Sequence, residues 1–100
     1  MKKINLAITG CMGRMGQQIT KSARLNKNFK IVALTENRII KKKINGIKPS
    51  LNKEQSFKKA NLIIDFTVPK CTFEVLKIAT KLKKRVVIGT TGFSKKEENL

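Results

Sequence analysis

Gly10, Gly13 and Gly16 stand three residues apart, directly after an apolar run from Ile4 to Thr9 and at the opening of a stretch with helical spacing. A chain with this junction must leave a strand, turn sharply and enter a helix within a few residues. Glycine makes such a turn possible. It also clears side chains from the helix start, where unpaired N–H groups and the positive end of the dipole attract an anion such as phosphate. The spacing is G-x-x-G-x-x-G, so Cys11 and Met12 displace the first glycine of the more usual G-x-G-x-x-G by one position. A glycine-rich turn with no ligand is the alternative reading. Arg14, in the first helical turn, is either a solvated residue or a partner for phosphate.

The rest of the chain repeats this grammar. Short apolar runs predict four strands, Ile4 to Thr9, Lys30 to Thr35, Leu62 to Phe66 and Arg85 to Ile88. Their near-continuous hydrophobicity suits strands covered on both faces. Helical spacing predicts a crossover helix from Arg14 to Leu25, with Met15, Ile19 and Ala23 as its buried stripe. A second is predicted from Pro69 to Leu82, with Cys71, Val75, Ala79 and Leu82 on one face. The segment from Asn37 to Ala60 is polar and basic, and reads as irregular apart from a short helix between Lys53 and Lys59. Ser94 to Glu97 spells a capping box that opens a third helix. Alternation of this kind specifies an α/β domain, a Rossmann-like parallel sheet of about four strands with flanking helices. We expect one domain over residues 1–100, incomplete at its C-terminal end, with no internal repeat.

Composition excludes several function classes. The hydrophobic fraction of 40% supports a core, yet no apolar run approaches the roughly 20 residues a bilayer demands. No membrane association is expected. The start of the chain is too short in apolar residues for a secretion signal and reads as a first strand, which implies a cytoplasmic location. Two cysteines and no histidine support neither a disulfide framework nor a metal site. The formal charge of +17 raises the question of nucleic acid. However, all but four of the 23 basic residues are lysine, spread over every segment of a chain rich in isoleucine and asparagine. These residue types share AT-rich codons, aromatic residues are few, and nucleic-acid binding is not expected as the main role.

Glu36 follows Gly16 by twenty residues, at the end of the second strand, where a doubly wound fold holds an acid against the ribose hydroxyls of a dinucleotide. A carboxylate there favours NAD over NADP, although Arg38 and the Lys41–Lys43 run offset its repulsion of a 2′-phosphate. In an open parallel sheet, ligands bind beyond the carboxyl ends of the strands. The loops after the third and fourth strands, Ile64 to Pro69 and Val87 to Phe93, therefore face the nicotinamide end. Gly89 permits close approach, Thr91 offers a hydroxyl and Phe66 packs near the ring. Asp65 reads as a structural acid. Without a histidine to activate it, Cys11 reads as a packing residue.

Together, Gly-Cys-Met-Gly-Arg-Met-Gly, Asp-Phe-Thr-Val-Pro and Val-Ile-Gly-Thr-Thr-Gly-Phe resemble the bacterial 4-hydroxy-tetrahydrodipicolinate reductase family of lysine and diaminopimelate biosynthesis. The resemblance spans essentially the whole chain. It implies an NAD(P)H-dependent reduction giving tetrahydrodipicolinate. It also implies that Gly10, Cys11, Met12, Gly13, Arg14 and Met15 hold the pyrophosphate and that Glu36 holds the ribose. Gly89, Thr90 and Thr91 would hold the nicotinamide ribose and amide, with Phe66 and Thr67 lining the same pocket. Where the family often has an arginine directly after the ribose acid, this chain has Asn37, then Arg38. Family members run to more than twice this length, assemble as homo-oligomers and carry their catalytic histidines and lysine in a second, substrate domain. Catalytic residues are accordingly expected beyond residue 100. Two other readings stay open, a stand-alone nucleotide-binding or assembly module and the first domain of another amino-acid dehydrogenase.

Overall fold

The computed structural model describes residues 3–44, 46–66 and 69–89. Its elements run β1 (Ile4–Thr9), α1 (Arg14–Leu25), β2 (Phe29–Glu36), β3 (Ser50–Leu51), α2 (Glu54–Phe57), β4 (Leu62–Asp65), α3 (Pro69–Leu82) and β5 (Arg85–Ile88). The five strands form one parallel sheet in the order β3-β2-β1-β4-β5. This is the predicted Rossmann-like α/β class, with one strand more than the sequence suggests. β3 pairs only Thr35 with Ser50 and Glu36 with Leu51, and two residues next to Pro49 carry no alternation to read. α1, α3 and β5 match their predicted bounds. β2 extends one residue further at each end, and α2 is shorter than the Lys53–Lys59 window. The capping box at 94–97 lies outside the described residues.

Two apolar layers sandwich the sheet. Leu6, Ile8, Cys11, Ala23 and Leu34 form the layer beneath α1. Ala7, Ala33, Phe57, Ala60, Ile63, Val75 and Ala79 form the layer beneath α2 and α3. Alternate residues of β1 thus serve opposite faces, as the two-residue period of a strand requires. β2 breaks that period once. Its register against β1 shifts between Leu6 and Ala7, so that Ile31 is opposite Leu6 and Ala33 opposite Ala7. The extra residue, Val32, packs on the same side as Ala33, the expected effect of a bulge on side-chain direction.

The predicted stripe on α3 is borne out, with Cys71, Val75 and Ala79 buried and Leu82 half-buried. That on α1 holds at Ala23, which is buried, and at Ile19, which packs against the core, and is corrected at Met15. Met15 is 49% exposed, and the buried residues are Gly16, Thr20 and Ala23. The physical reason is the closeness of the helix start to the glycine turn. A Cβ at position 16 would collide with the carbonyl and carbonyl carbon of Gly10, so the face that meets the turn must carry glycine. α3 ends in a Schellman motif. The Lys84 N–H donates to the Ala79 carbonyl at 2.8 Å and the Lys83 N–H to that of Thr80 at 3.2 Å. Lys83 adopts φ 56° to allow it.

Candidate functional site: a glycine turn and the carboxyl ends of the strands

The parallel order puts the carboxyl ends of β1, β2, β4 and β5 along one edge of the molecule, with β1 and β4 adjacent at the centre. β1 connects to β2 on one side and β4 lies on the other, so the chain reverses its winding direction here and a crevice opens above the strand ends. The glycine turn occupies that edge. Gly10 takes φ 66°, a left-handed conformation that favours glycine. The Gly13 N–H closes the turn onto the Gly10 carbonyl at 3.1 Å. Gly13 is the N-cap of α1 in extended conformation, and no side chain caps the helix. The first turn therefore keeps backbone donors and the positive end of the helix dipole directed at the crevice. A Cβ on Gly13 would sit 3.4 Å from the Gly10 carbonyl, and Gly13, Arg14 and Met15 are exposed.

The turn is fastened to the end of β2. The Cys11 N–H donates to the Thr35 carbonyl at 3.2 Å. The Met12 N–H donates to one carboxylate oxygen of Glu36 at 3.0 Å, and the Asn37 N–H donates to the other, also at 3.0 Å. Glu36 is 8% exposed. Gln17, which the sequence does not single out, donates its side-chain amide to the Met12 carbonyl at 2.7 Å. Its only sequence signal is its place one helical turn beyond Gly13. Both cysteines are free and buried. Burial, and then the negative charge of Glu36, push the Cys11 thiol up to about 11. It is a protonated wall of the turn at neutral pH. Burial also raises the Cys71 thiol.

Asp65 closes β4 and is fully buried. Its carboxylate accepts the hydroxyls of Thr9, at the end of β1, and Thr72, in the second turn of α3. The structural role read from the sequence is what the geometry provides. Beside it the Gly89 N–H donates to the Asp65 carbonyl at 2.8 Å. A Cβ on Gly89 would collide with the ring of Phe66, so this glycine makes room for the half-buried Phe66 ring at the ends of β4 and β5. The structure thus brings Gly10 through Met15, Glu36, Phe66 and Gly89 to one edge. Thr67, Thr90 and Thr91 lie outside the described residues. Among the described residues no group of histidine, cysteine, aspartate or glutamate could hold a metal ion, and no helix is long and apolar enough to cross a membrane.

A doubly wound sheet, an uncapped helix behind a glycine turn and an acid at the end of the neighbouring strand define the class: a Rossmann-like α/β domain of the nucleotide-binding type. The family described as "Dihydrodipicolinate reductase, N-terminus" matches residues 4–100. The chain is 71% identical over 100 residues to the 4-hydroxy-tetrahydrodipicolinate reductase of Pelagibacter ubique (strain HTCC1062), covering 100% of this chain and 39% of that protein. It is 39% identical over 111 residues to the enzyme of the same name from Buchnera aphidicola subsp. Acyrthosiphon pisum (strain 5A), covering 96% of this chain and 40% of the relative. The solved dihydrodipicolinate reductase from Paenisporosarcina sp. TG-14, with dipicolinate bound, superposes with a TM-score of 0.76 at 27% identity, over 97% of this chain and 41% of that one. The chain belongs to the dihydrodipicolinate reductase family, of which it carries the N-terminal part, and it spans about two-fifths of the length of the curated relatives it matches.

Proposed function

We propose that this chain is the cofactor-binding domain, over residues 1–100, of an NAD(P)H-dependent reductase that converts 4-hydroxy-tetrahydrodipicolinate to tetrahydrodipicolinate in lysine and diaminopimelate biosynthesis. The observation that carries the reading is the uncapped start of α1 behind the Gly10–Gly13 turn, with the Glu36 carboxylate 3.0 Å from the Met12 N–H. The donor set fits a dinucleotide. Backbone N–H groups at the helix start suit the pyrophosphate, with Arg14 at its rim. Cys11, Met12 and Met15 complete the cradle around Gly10 and Gly13. Glu36 accepts the hydroxyls of the adenosine ribose.

The bound nicotinamide supplies a hydride to the substrate. This chain's own residues bind and orient it. Phe66 lines the pocket at the ends of β4 and β5, where Gly89 leaves room for it. Thr67, Thr90 and Thr91 are assigned to that pocket and to the nicotinamide ribose and amide by family resemblance. Substrate binding and proton donation are assigned to a substrate domain in the remaining length of the full enzyme, which we take to be cytoplasmic and homo-oligomeric. Glu36 favours NAD, with Arg38 following it on the exposed side.

Titration of NADH and NADPH fluorescence at moderate salt tests the assignment. Saturable binding of NADH, weakened about tenfold or more by Gly13→Asp through like charge at the phosphate, is the expected result. Folded protein with no saturable binding, or with binding indifferent to Gly13→Asp, overturns the site. Preference for NADPH overturns the reading of Glu36.

A further inference from the structure

An acid at this strand end is normally understood as a ribose acceptor, but here both of its oxygens are already engaged by the protein. One holds the Met12 N–H inside the glycine turn, and the other holds the Asn37 N–H, each at 3.0 Å. Met12 is held from its other side by Gln17, 2.7 Å from its carbonyl, and Cys11 before it is tied to the Thr35 carbonyl. The middle of the phosphate turn is thus fixed between the end of β2 and the second turn of α1. Of these ties, only that through Glu36 ends on a charged group, and charged hydrogen bonds are the stronger kind. A carboxylate has about four acceptor positions, so two bonds to backbone N–H groups leave room for two ribose hydroxyls.

We propose that Glu36 is the positioning residue of the pyrophosphate turn as well as the ribose acceptor. It would hold the turn in its binding conformation before any cofactor arrives and so couple recognition of the ribose to recognition of the phosphates. The proposal rests on the cofactor reading above and extends it. It makes a prediction opposite in sign to simple electrostatics. Removing a negative charge beside a phosphate site should tighten binding of an anion, whereas removing a clamp should weaken it.

The test uses NADH and an NADH analogue whose adenosine ribose lacks both hydroxyls, titrated against wild type, Glu36→Gln and Glu36→Ala, each shown folded by circular dichroism and thermal melting. The analogue cannot bond to Glu36 through its ribose. Its affinity is expected to fall stepwise from wild type through Glu36→Gln, which keeps one neutral acceptor, to Glu36→Ala, by about tenfold overall, the worth of roughly one charged hydrogen bond. NADH should lose more, because its ribose contacts go too. Analogue affinity that is unchanged or tighter in the variants overturns the proposal and leaves the cofactor assignment standing. Failure of wild type to bind NADH overturns that assignment instead. Amide hydrogen exchange at Met12 reads the clamp without ligand and in any variant that binds poorly. It should accelerate about tenfold in Glu36→Ala, and an unchanged rate there also overturns the proposal.

Discussion

Replacing Gly16 by alanine adds a single methyl group to the first turn of a helix, and helix propensity alone makes the change favourable by at most about 1 kcal/mol. The structure predicts the reverse. The new Cβ would overlap the carbonyl group of Gly10 and crowd the Cα of Cys11, all backbone atoms with no rotamer to swing away. Relief requires the start of α1 to lift off the turn, loosening the contacts of Thr20 and Ala23 beneath it, both buried. Overpacking of this kind costs about 3 kcal/mol, which leaves a net loss of about 2 kcal/mol after the propensity gain. In a domain of this size that lowers Tm by about 10 °C. Gly13→Ala is the control. Its Cβ makes only a 3.4 Å contact with the Gly10 carbonyl, and alanine is the poorer N-cap by about 0.5 kcal/mol. Thermal and urea denaturation followed by circular dichroism measure both. A Gly16→Ala protein as stable as wild type, or a Gly13→Ala protein equally damaged, would refute the argument from close approach.

Two further predictions concern stability alone. Because burial and Glu36 raise the Cys11 thiol from 9.0 to about 11, the unfolded chain loses this proton before the folded one. The contribution is complete below pH 9 and disappears as pH rises to 11. Wild type should lose on the order of 2 kcal/mol more than Cys11→Ala across that interval in urea titrations, and equal losses would count against the assignment. Lys83 holds φ 56° in the Schellman motif. Lys83→Gly is expected to raise stability by about 0.5 to 1 kcal/mol, net of glycine's added freedom when unfolded. A melt no higher than that of wild type would show that the left-handed conformation costs lysine little here.

The sequence was most legible where a single period governed a segment. α3 buries the stripe its spacing predicts because Val75 and Ala79 meet β4 and β5 across an ordinary helix–sheet contact. α1 was legible in its bounds and in the inward-facing Ile19 and Ala23, but not at its start. Apolar spacing selected Met15, whereas the contact with the turn selected Gly16, and no hydrophobicity pattern reports where two backbones must touch. β3 was illegible because two residues held by pairing with Thr35 and Glu36 and by hydrogen bonds with Ser56 carry no alternation. At the site, the glycine turn and Glu36 were readable from spacing. The bonds from Met12 and Asn37 to Glu36 were not, since a backbone N–H belongs to every residue except proline and leaves no trace in side-chain identity. Nor did the sequence show that Gly89, read as making room for a ligand, makes room for the ring of Phe66.

Asp65 has a consequence for how the molecule opens. Its side chain joins the end of β1 to α3, and its main chain receives Gly89 just after β5. The two windings of the sheet therefore share one fastening at their seam, shut away from water. Peeling α3 from the sheet withdraws the Thr72 hydroxyl from this buried carboxylate, and parting β1 from β4 withdraws that of Thr9, so either opening costs a buried charged hydrogen bond. The central strands and α3 would then exchange their amide hydrogens as one cooperative unit. The two-residue β3, which pairs within the sheet with β2, lies outside that unit.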